Sequence, residues 1–484
     1  MKKGLFAKKS IGSLLKEAAD TKHGLKRALG PLNLVAMGIG AIVGAGLFVI
    51  TGEVASSYSG PGITISFIIA GIICTFVALC YAEFASLIPI AGSAYTYAFV
   101  AIGEFFAWLM GVALIAEYLF SFCTVAVGWS GYLNSLMTDL GMPISSLFSK
   151  APFVYSPETG WTATGSLFNL PAVIIIALIA WLIGRGIQTA AFLNDLLVVV
   201  KLGVILLFVG FGLAFINADN LTPFIPPNTG TFGEFGWSGI FRGAGVLFFA
   251  FLGFDAVSTL AQEAKNPQRD MPIGMIGSLV ICTAVYIIFG AVMTGVVSYK
   301  QLNVADPVGV AINAFGPSFT WLRYIIKFAI LAGLTSVILV MMTALTRILF
   351  TMSHDGLIPS VFGKTHPVHR TPMNTTIIVA IVALVLAGFS PLDMLGKLTS
   401  MGALFVFAMV SFGVLILRFT QPTLHRPFKT PFTPWVPLLG TLGCIFQMFL
   451  MPGATWVQFL VIMAIGCAFY FNYGAKHSKI RAGA

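Results

Sequence analysis

The chain has 484 residues, of which 58% are hydrophobic and only 9% charged, and its mean hydropathy is +0.94. Soluble domains carry about 25% charged residues, so a set of soluble globular domains is excluded and one polytopic membrane domain is expected. The net charge of +10 does not indicate nucleic acid, because the basic residues gather at the termini and in alternate loops, where they orient a membrane protein and meet anionic headgroups.

The first thirty residues are basic and polar, with no early apolar core of the signal-peptide kind. Residues 10–29 read as an amphipathic segment on the inner membrane surface. The predicted division is therefore a cytoplasmic segment over 1–30, a single transmembrane domain over 31–475 and a cytoplasmic tail over 476–484. Apolar runs long enough to cross a bilayer occur at about 32–56, 62–88, 98–136, 170–190, 193–216, 237–262, 275–299, 319–352, 374–391, 394–418, 435–452 and 454–473. That predicts an all-α protein of twelve spans, with both termini on one side. Lys2, Lys3, Lys8, Lys9, Lys476, Lys479 and Arg481 place that side in the cytoplasm. The inside loops then hold Arg185, Lys265, Arg269, Lys364, Arg370, Arg426 and Lys429. The outside loops at about 137–168 and 217–236 are expected to be irregular covers.

Span 1 carries Gly38, Gly40, Gly44 and Gly46 in its middle. Each glycine costs a helix interior roughly 1 kcal/mol relative to alanine, and a break frees backbone groups that lipid cannot satisfy. Span 6 carries Gly243, Gly245 and Gly253 in a similar stretch. The two interrupted spans lie five apart, as in a five-plus-five inverted repeat of spans 1–5 against 6–10. Broken helices offer amides to a carboxylate and carbonyls to an ammonium. The amides expected are those of Gly44, Ala45 and Gly46; the carbonyls are those of Ile42, Phe248, Phe249 and Phe251. The competing reading is close helix packing, since Gly40-x-x-x-Gly44 is also a contact motif.

Ionisable residues inside spans are functional candidates by default. Lys201 sits in span 5, Glu117 in the middle of span 3 and Asp255 at the break of span 6. Glu117 and Asp255 are the carboxylates that could meet a cationic side chain in the pocket, or simply tie helices together. Glu83 is expected to tie helices. The aromatic rings of Phe248, Phe249 and Phe251 could close over a ligand, or could be ordinary apolar lining. Met341 could cap side-chain size. The six cysteines lie in apolar runs without CxxC spacing, so no disulfide is expected. No HExxH occurs, and neither a metal nor a cofactor is expected.

Three loops carry the strongest pattern. They read Glu263-Ala264-Lys265-Asn266-Pro267-Gln268-Arg269-Asp270, Met352-Ser353-His354-Asp355-Gly356-Leu357-Ile358-Pro359 and Arg426-Pro427-Phe428-Lys429-Thr430-Pro431. With the span 1 stretch Ile39 to Phe48 and Thr51-Gly52, they resemble the amino acid–polyamine–organocation (APC) superfamily, in particular its bacterial-type cationic amino acid transporter branch. The resemblance runs over about residues 25–475. It implies the leucine-transporter fold, twelve spans and uptake or exchange of amino acids. It further implies that Thr335 and Ser336 look like the hydroxyl pair of a sodium site, and that the ammonium of Lys201 takes that place in a proton-coupled member. It implies an inner-path role for Asp255 and a gating role for Phe248 or Phe249. The expected function is proton-coupled amino acid uptake by alternating access, with exchange as the same-class alternative. An ion channel lacks a Thr-Val-Gly-Tyr-Gly filter, and a membrane enzyme lacks a catalytic dyad. Expected partners are L-amino acids, protons and membrane lipids, with room for a small membrane accessory protein.

Overall fold

The structure, a computed structural model, describes residues 4–10, 12, 29–90, 92–156, 160–185, 187–261, 263–364 and 371–482. The expected amphipathic segment before span 1 lies almost entirely outside these residues.

Twelve apolar spans cross the fold among the described residues. Span 1 is split into 1a (Pro31–Ile42) and 1b (residues 46–59). Spans 2 to 5 are Ile63–Leu87, Glu104–Asp139, Leu170–Arg185 and Ile187–Gly212. Span 6 is split into 6a (Gly236–Phe251) and 6b (Ala256–Leu260). Spans 7 to 12 are Pro267–Val296, Thr320–His354, Met373–Phe389, Leu392–Thr420, Trp435–Leu450 and Gly453–Phe469. Ser390 and Pro391, both extended, are enough to separate spans 9 and 10.

Two expectations change. The third apolar run is expected at 98–136, but residues up to Ala101 form a separate helix, Ser93–Ala101. Gly103, at φ +133°, turns the chain before span 3 starts at Glu104. Hydropathy misses the corner because both pieces are apolar. The loop at 137–168 is not wholly irregular: strands β1 (Phe153–Ser156) and β2 (Gly160–Ala163) pair antiparallel within it.

The repeat is visible in which spans touch. Span 2 packs on 6a, and its counterpart span 7 packs on 1a. Span 3 packs on 10, and span 8 on 5. Span 3 packs on 9, and span 8 on 4; span 6a packs on 10, and 1a on 5. Spans 2 and 7, 3 and 8, and 4 and 9 pack on each other, each pair mapping onto itself. Every one of these contacts survives exchange of span n with span n+5. Five spans per half is an odd number, so the second half enters the membrane from the opposite side, and the repeat is inverted. Spans 11 and 12 stand outside it, against spans 10 and 2 and spans 10 and 3.

Small hydroxyls hold the helices where lipid offers no partner. Ser66 donates to the Ile240 carbonyl at 2.9 Å, and Ser400 to that of Val246 at 3.0 Å. Glu83 does tie elements together. It meets Arg418 at 2.7 Å and Arg426 at 3.1 Å, and accepts the Thr430 amide at 2.8 Å. The Arg426 loop is thus pinned to span 2 by its own first and fifth residues. Both chain ends reach the start of span 3. The amides of Glu104 and Phe105 donate to the carbonyls of Ala7 and Leu5, while Arg481 pairs with the Glu104 carboxylate at 2.8 Å. That end of the bundle carries the termini; Asp139 marks the far end.

Candidate functional site

The two breaks face each other at mid-depth. Span 1a ends because Val43 turns extended, at φ −73° and ψ 103°. Span 6a ends likewise at Leu252, φ −60° and ψ 141°, followed by Gly253 at φ +118°. Glycine is needed here twice over. A side chain on Gly253 would press on the Ala41 carbonyl at 2.8 Å, besides adopting a backbone that L side chains rarely take. A Cβ on Gly46 would strike the backbone of Ala250. The glycines therefore serve the close crossing of spans 1 and 6 and the breaks together.

Each break leaves backbone groups unpaired. The amides of Gly44, Ala45 and Gly46 make no backbone hydrogen bond among the described residues; the ladder resumes with Leu47 and Phe48 donating to Gly44. These amides stand at the start of span 1b, where the helix dipole favours negative charge. Among the carbonyls, that of Phe249 accepts the Leu252 amide at 3.3 Å. Those of Phe248 and Phe251 find no backbone partner outside their own helix among the described residues. The Ile42 carbonyl is occupied: the hydroxyl of Tyr286 lies 2.9 Å from it and 2.8 Å from the Ala250 carbonyl. One side chain on span 7 thus stitches both breaks. Sequence reasoning missed it, although a tyrosine inside an apolar run, needing a partner for its hydroxyl, was a usable sign.

A hollow of about 10 Å³ lies between the breaks, lined by Ala41, Ile42, Gly44, Ala45, Gly46, Ser121, Val125, Phe249, Leu252, Val337 and Met341. That is space for about one water, so the pocket is closed around itself. Of the aromatic candidates, only Phe249 faces it. Phe248 packs on Phe407, and Phe251 on Phe67 and Tyr286. Met341 reaches the pocket from span 8. Ser121, Val125, Leu252 and Val337 had no distinguishing sequence signal, being ordinary residues at helical spacing.

Glu117 and Asp255 are not among the lining residues. Asp255 accepts from the Tyr118 hydroxyl and from the Gly253 amide at 3.0 Å. Glu117 is fully buried, and neither of its oxygens has a hydrogen-bond partner among the described residues. Its backbone and Cβ pack against Gly402 of span 10.

Lys201 is buried at 1% exposure and donates to the Gly40 carbonyl at 2.6 Å. That carbonyl is one of those left over by the end of span 1a, at the negative pole of the half-helix. The lysine stem lies across Gly333 of span 8, where a side chain would meet its Cγ at 2.8 Å. The ammonium therefore sits among spans 1, 5 and 8. The expected hydroxyl pair does not join it: Thr335 receives Trp129 Nε1 at 3.1 Å and donates to Leu331, and Ser336 donates to the Gly333 carbonyl. Hydroxyls in helices often bond back to a carbonyl one turn earlier, and both do so here. Among the described residues no group of His, Cys, Asp and Glu is arranged to hold a metal ion.

Residues 29–475 match the amino acid permease family. The chain is 40% identical over 476 residues to a methylthioribose transporter of Bacillus subtilis, covering 98% of this chain and 99% of that protein. It is 41% identical over 481 residues to the branched-chain amino acid permease BcaP of the same organism, covering 99% and 100%. It is 30% identical over 461 residues to cationic amino acid transporter 5 of Arabidopsis thaliana, covering 95% and 74%.

Proposed function

We propose that this chain, which belongs to the amino acid permease family, carries small apolar L-amino acids across a membrane by alternating access, driven by protons. Transport by a multi-pass membrane protein follows from the family; the substrate, the coupling and the orientation are our reading. The observation that carries it is the pairing of three free amides, Gly44 to Gly46, with a pocket whose side-chain end is Val125, Phe249, Leu252, Val337 and Met341. The amides suit a carboxylate, and the apolar wall suits a branched side chain; the Phe248 and Phe251 carbonyls, outside the closed hollow but next in the chain to its lining residues Phe249 and Leu252, are our candidates for an ammonium.

Glu117 and Asp255 stand apart from this wall, which speaks against a cationic substrate. A relative named as a branched-chain amino acid permease agrees with the apolar wall. A relative named as a methylthioribose transporter supplies the second candidate. That sugar has no carboxylate for the free amides, so we rank it below the amino acids.

Lys201 is the proton-coupling residue in this reading. Its charge at the C-terminal pole of span 1a stabilises one arrangement of the half-helix, and proton loss releases it, which biases the equilibrium between states. An exchanger would need no such titration. The basic termini and loops favour a cytoplasmic-membrane protein with both termini inside. The test is uptake into proteoliposomes of labelled L-isoleucine, L-arginine and methylthioribose, with and without an inward proton gradient. We expect L-isoleucine to accumulate with the gradient and L-arginine to be excluded. Saturable flux of L-arginine alone would reverse the substrate assignment, and uptake that is indifferent to the gradient and requires amino acid inside the vesicles would make the protein an exchanger.

A further inference from the structure

A second hollow, of about 290 Å³, lies at the far end between span 3, span 8 and the short helix Pro307–Asn313. We propose that it is a second binding site for the same zwitterionic amino acid, a station on the route to the central pocket. The proposal rests on the transport reading given above and adds a site to it.

The first reason is room. Ligand pockets begin at about 300 Å³, and this hollow nearly reaches that, while the central pocket is closed to about 10 Å³. The second reason is position. Span 3 supplies Val125 to the central pocket and Gly131 to the far hollow, about 9 Å further along the same helix. Span 8 does the same with Val337 and Lys327. The two spaces share one seam. Between them Trp129 donates to the Leu331 carbonyl and the Thr335 hydroxyl, both at 3.1 Å. That ring and its partners are the partition.

The third reason is chemistry. Lys327, 2% exposed, holds Asp139 at 2.6 Å, Asp306 at 2.9 Å and the Ser135 hydroxyl at 2.6 Å. Arg323 meets Asp139 at 3.2 Å. Arg323 stands behind the lining residue Asp139, so the cluster of two carboxylates and two cations balances, and the hollow suits a ligand that carries both charges and no net charge. Among the described residues the contacts to the Asp139 carboxylate use Oδ2, which leaves Oδ1 to accept an ammonium. The side-chain amide of Asn134 makes no hydrogen bond among the described residues and can donate to a carboxylate beside Lys327.

The test is equilibrium binding of labelled L-isoleucine to the purified full chain in nanodiscs. Met341→Trp fills the central pocket from span 8; Asp139→Asn removes the negative charge of Asp139 from the far hollow. We expect two molecules per wild-type chain, one in Met341→Trp, and binding at least tenfold weaker once Asp139→Asn is added to Met341→Trp. If Met341→Trp abolishes all binding while the wild type binds, or if Asp139→Asn leaves the remaining binding unchanged, the far site is wrong and the transport reading stands. If the wild type binds no L-isoleucine, both fail together. Should Met341→Trp lose its monodisperse elution peak, Ser121→Leu closes the central pocket from span 3 and gives the same comparison.

Discussion

The ammonium of Lys201 reaches across from span 5 to the carbonyl of Gly40, 2.6 Å away. The carbonyl is available only because span 1a stops two residues later, so the amide that would have claimed it has left the helix. A break in one helix and a buried charge in another are therefore one device. Removing the charge should leave the break in place but take away its link to protons. Lys201→Ala is expected to retain exchange of internal for external L-isoleucine and to lose accumulation under a proton gradient. Counterflow and gradient-driven uptake, measured side by side in proteoliposomes, separate the two. Concentrative uptake by the mutant would end the coupling role.

Tyr286 makes the opposite kind of link, from span 7 to the carbonyls of Ile42 and Ala250. Its removal takes the hydroxyl from two buried carbonyls. An unsatisfied buried polar group costs about 1–3 kcal/mol. Tyr286→Phe should accordingly lower the melting temperature of the purified protein and slow uptake, with the apolar contacts to Phe67 and Phe251 kept. A mutant with unchanged melting and unchanged uptake would mean that the two breaks hold themselves.

These two residues also show what the sequence could and could not reveal. Lys201 announces itself, since a lysine inside an apolar run has no bland neighbours to hide among. Twelve spans and two breaks were legible for the same reason: hydropathy and glycine placement are properties of a single helix. Tyr286 is one of twelve tyrosines, and its role depends on two other spans meeting at its hydroxyl. The partner of Thr335 is not legible in span 8, because a hydroxyl in a helix has several partners within reach, and the one it finds, Trp129, comes from span 3. The corner at Gly103 was hidden because apolar residues continue through it. What depends on pairing between helices distant in sequence leaves little trace in either helix alone.

Met341 is 1% exposed and forms part of the apolar wall of the central pocket. Shortening it should enlarge the space for a side chain without touching the amides that hold the carboxylate. Met341→Ser is expected to admit bulkier amino acids, L-phenylalanine among them, while L-isoleucine uptake falls. Competition of a panel of amino acids against labelled L-isoleucine measures this directly. An unchanged order of competition would remove Met341 from the selectivity wall.

Glu117 presents a buried carboxyl group without a partner on either oxygen among the described residues. An isolated charge in such a place is expensive, and nothing in the pocket lining requires one. Glu117→Gln keeps the shape and drops the capacity for charge. The expected outcome is a melting temperature equal to or above that of the wild type, with L-isoleucine uptake within about twofold. A loss of uptake with normal folding would place Glu117 on the transport path and reopen the case for cationic substrates.

Gly46 offers the sharpest test of why the first span breaks where it does. If glycine were present only to weaken the helix, alanine would restore a better helix former, stabilising it by roughly 1 kcal/mol. If it is present to let span 6 approach, the added methyl has nowhere to go, because it lands on the backbone of Ala250 and shortening that side chain cannot make room. Overpacking of this kind costs about 1–3 kcal/mol, more than the helix propensity returns. Gly46→Ala should therefore melt earlier and lose uptake, and Ala250→Gly should not rescue it. Gly203→Ala, in span 5 with no atom within 4 Å of the added carbon, is the control and should be neutral or slightly stabilising. Equal behaviour of the two mutants would mean that the breaks are set by helix propensity and that the crossing of spans 1 and 6 is incidental.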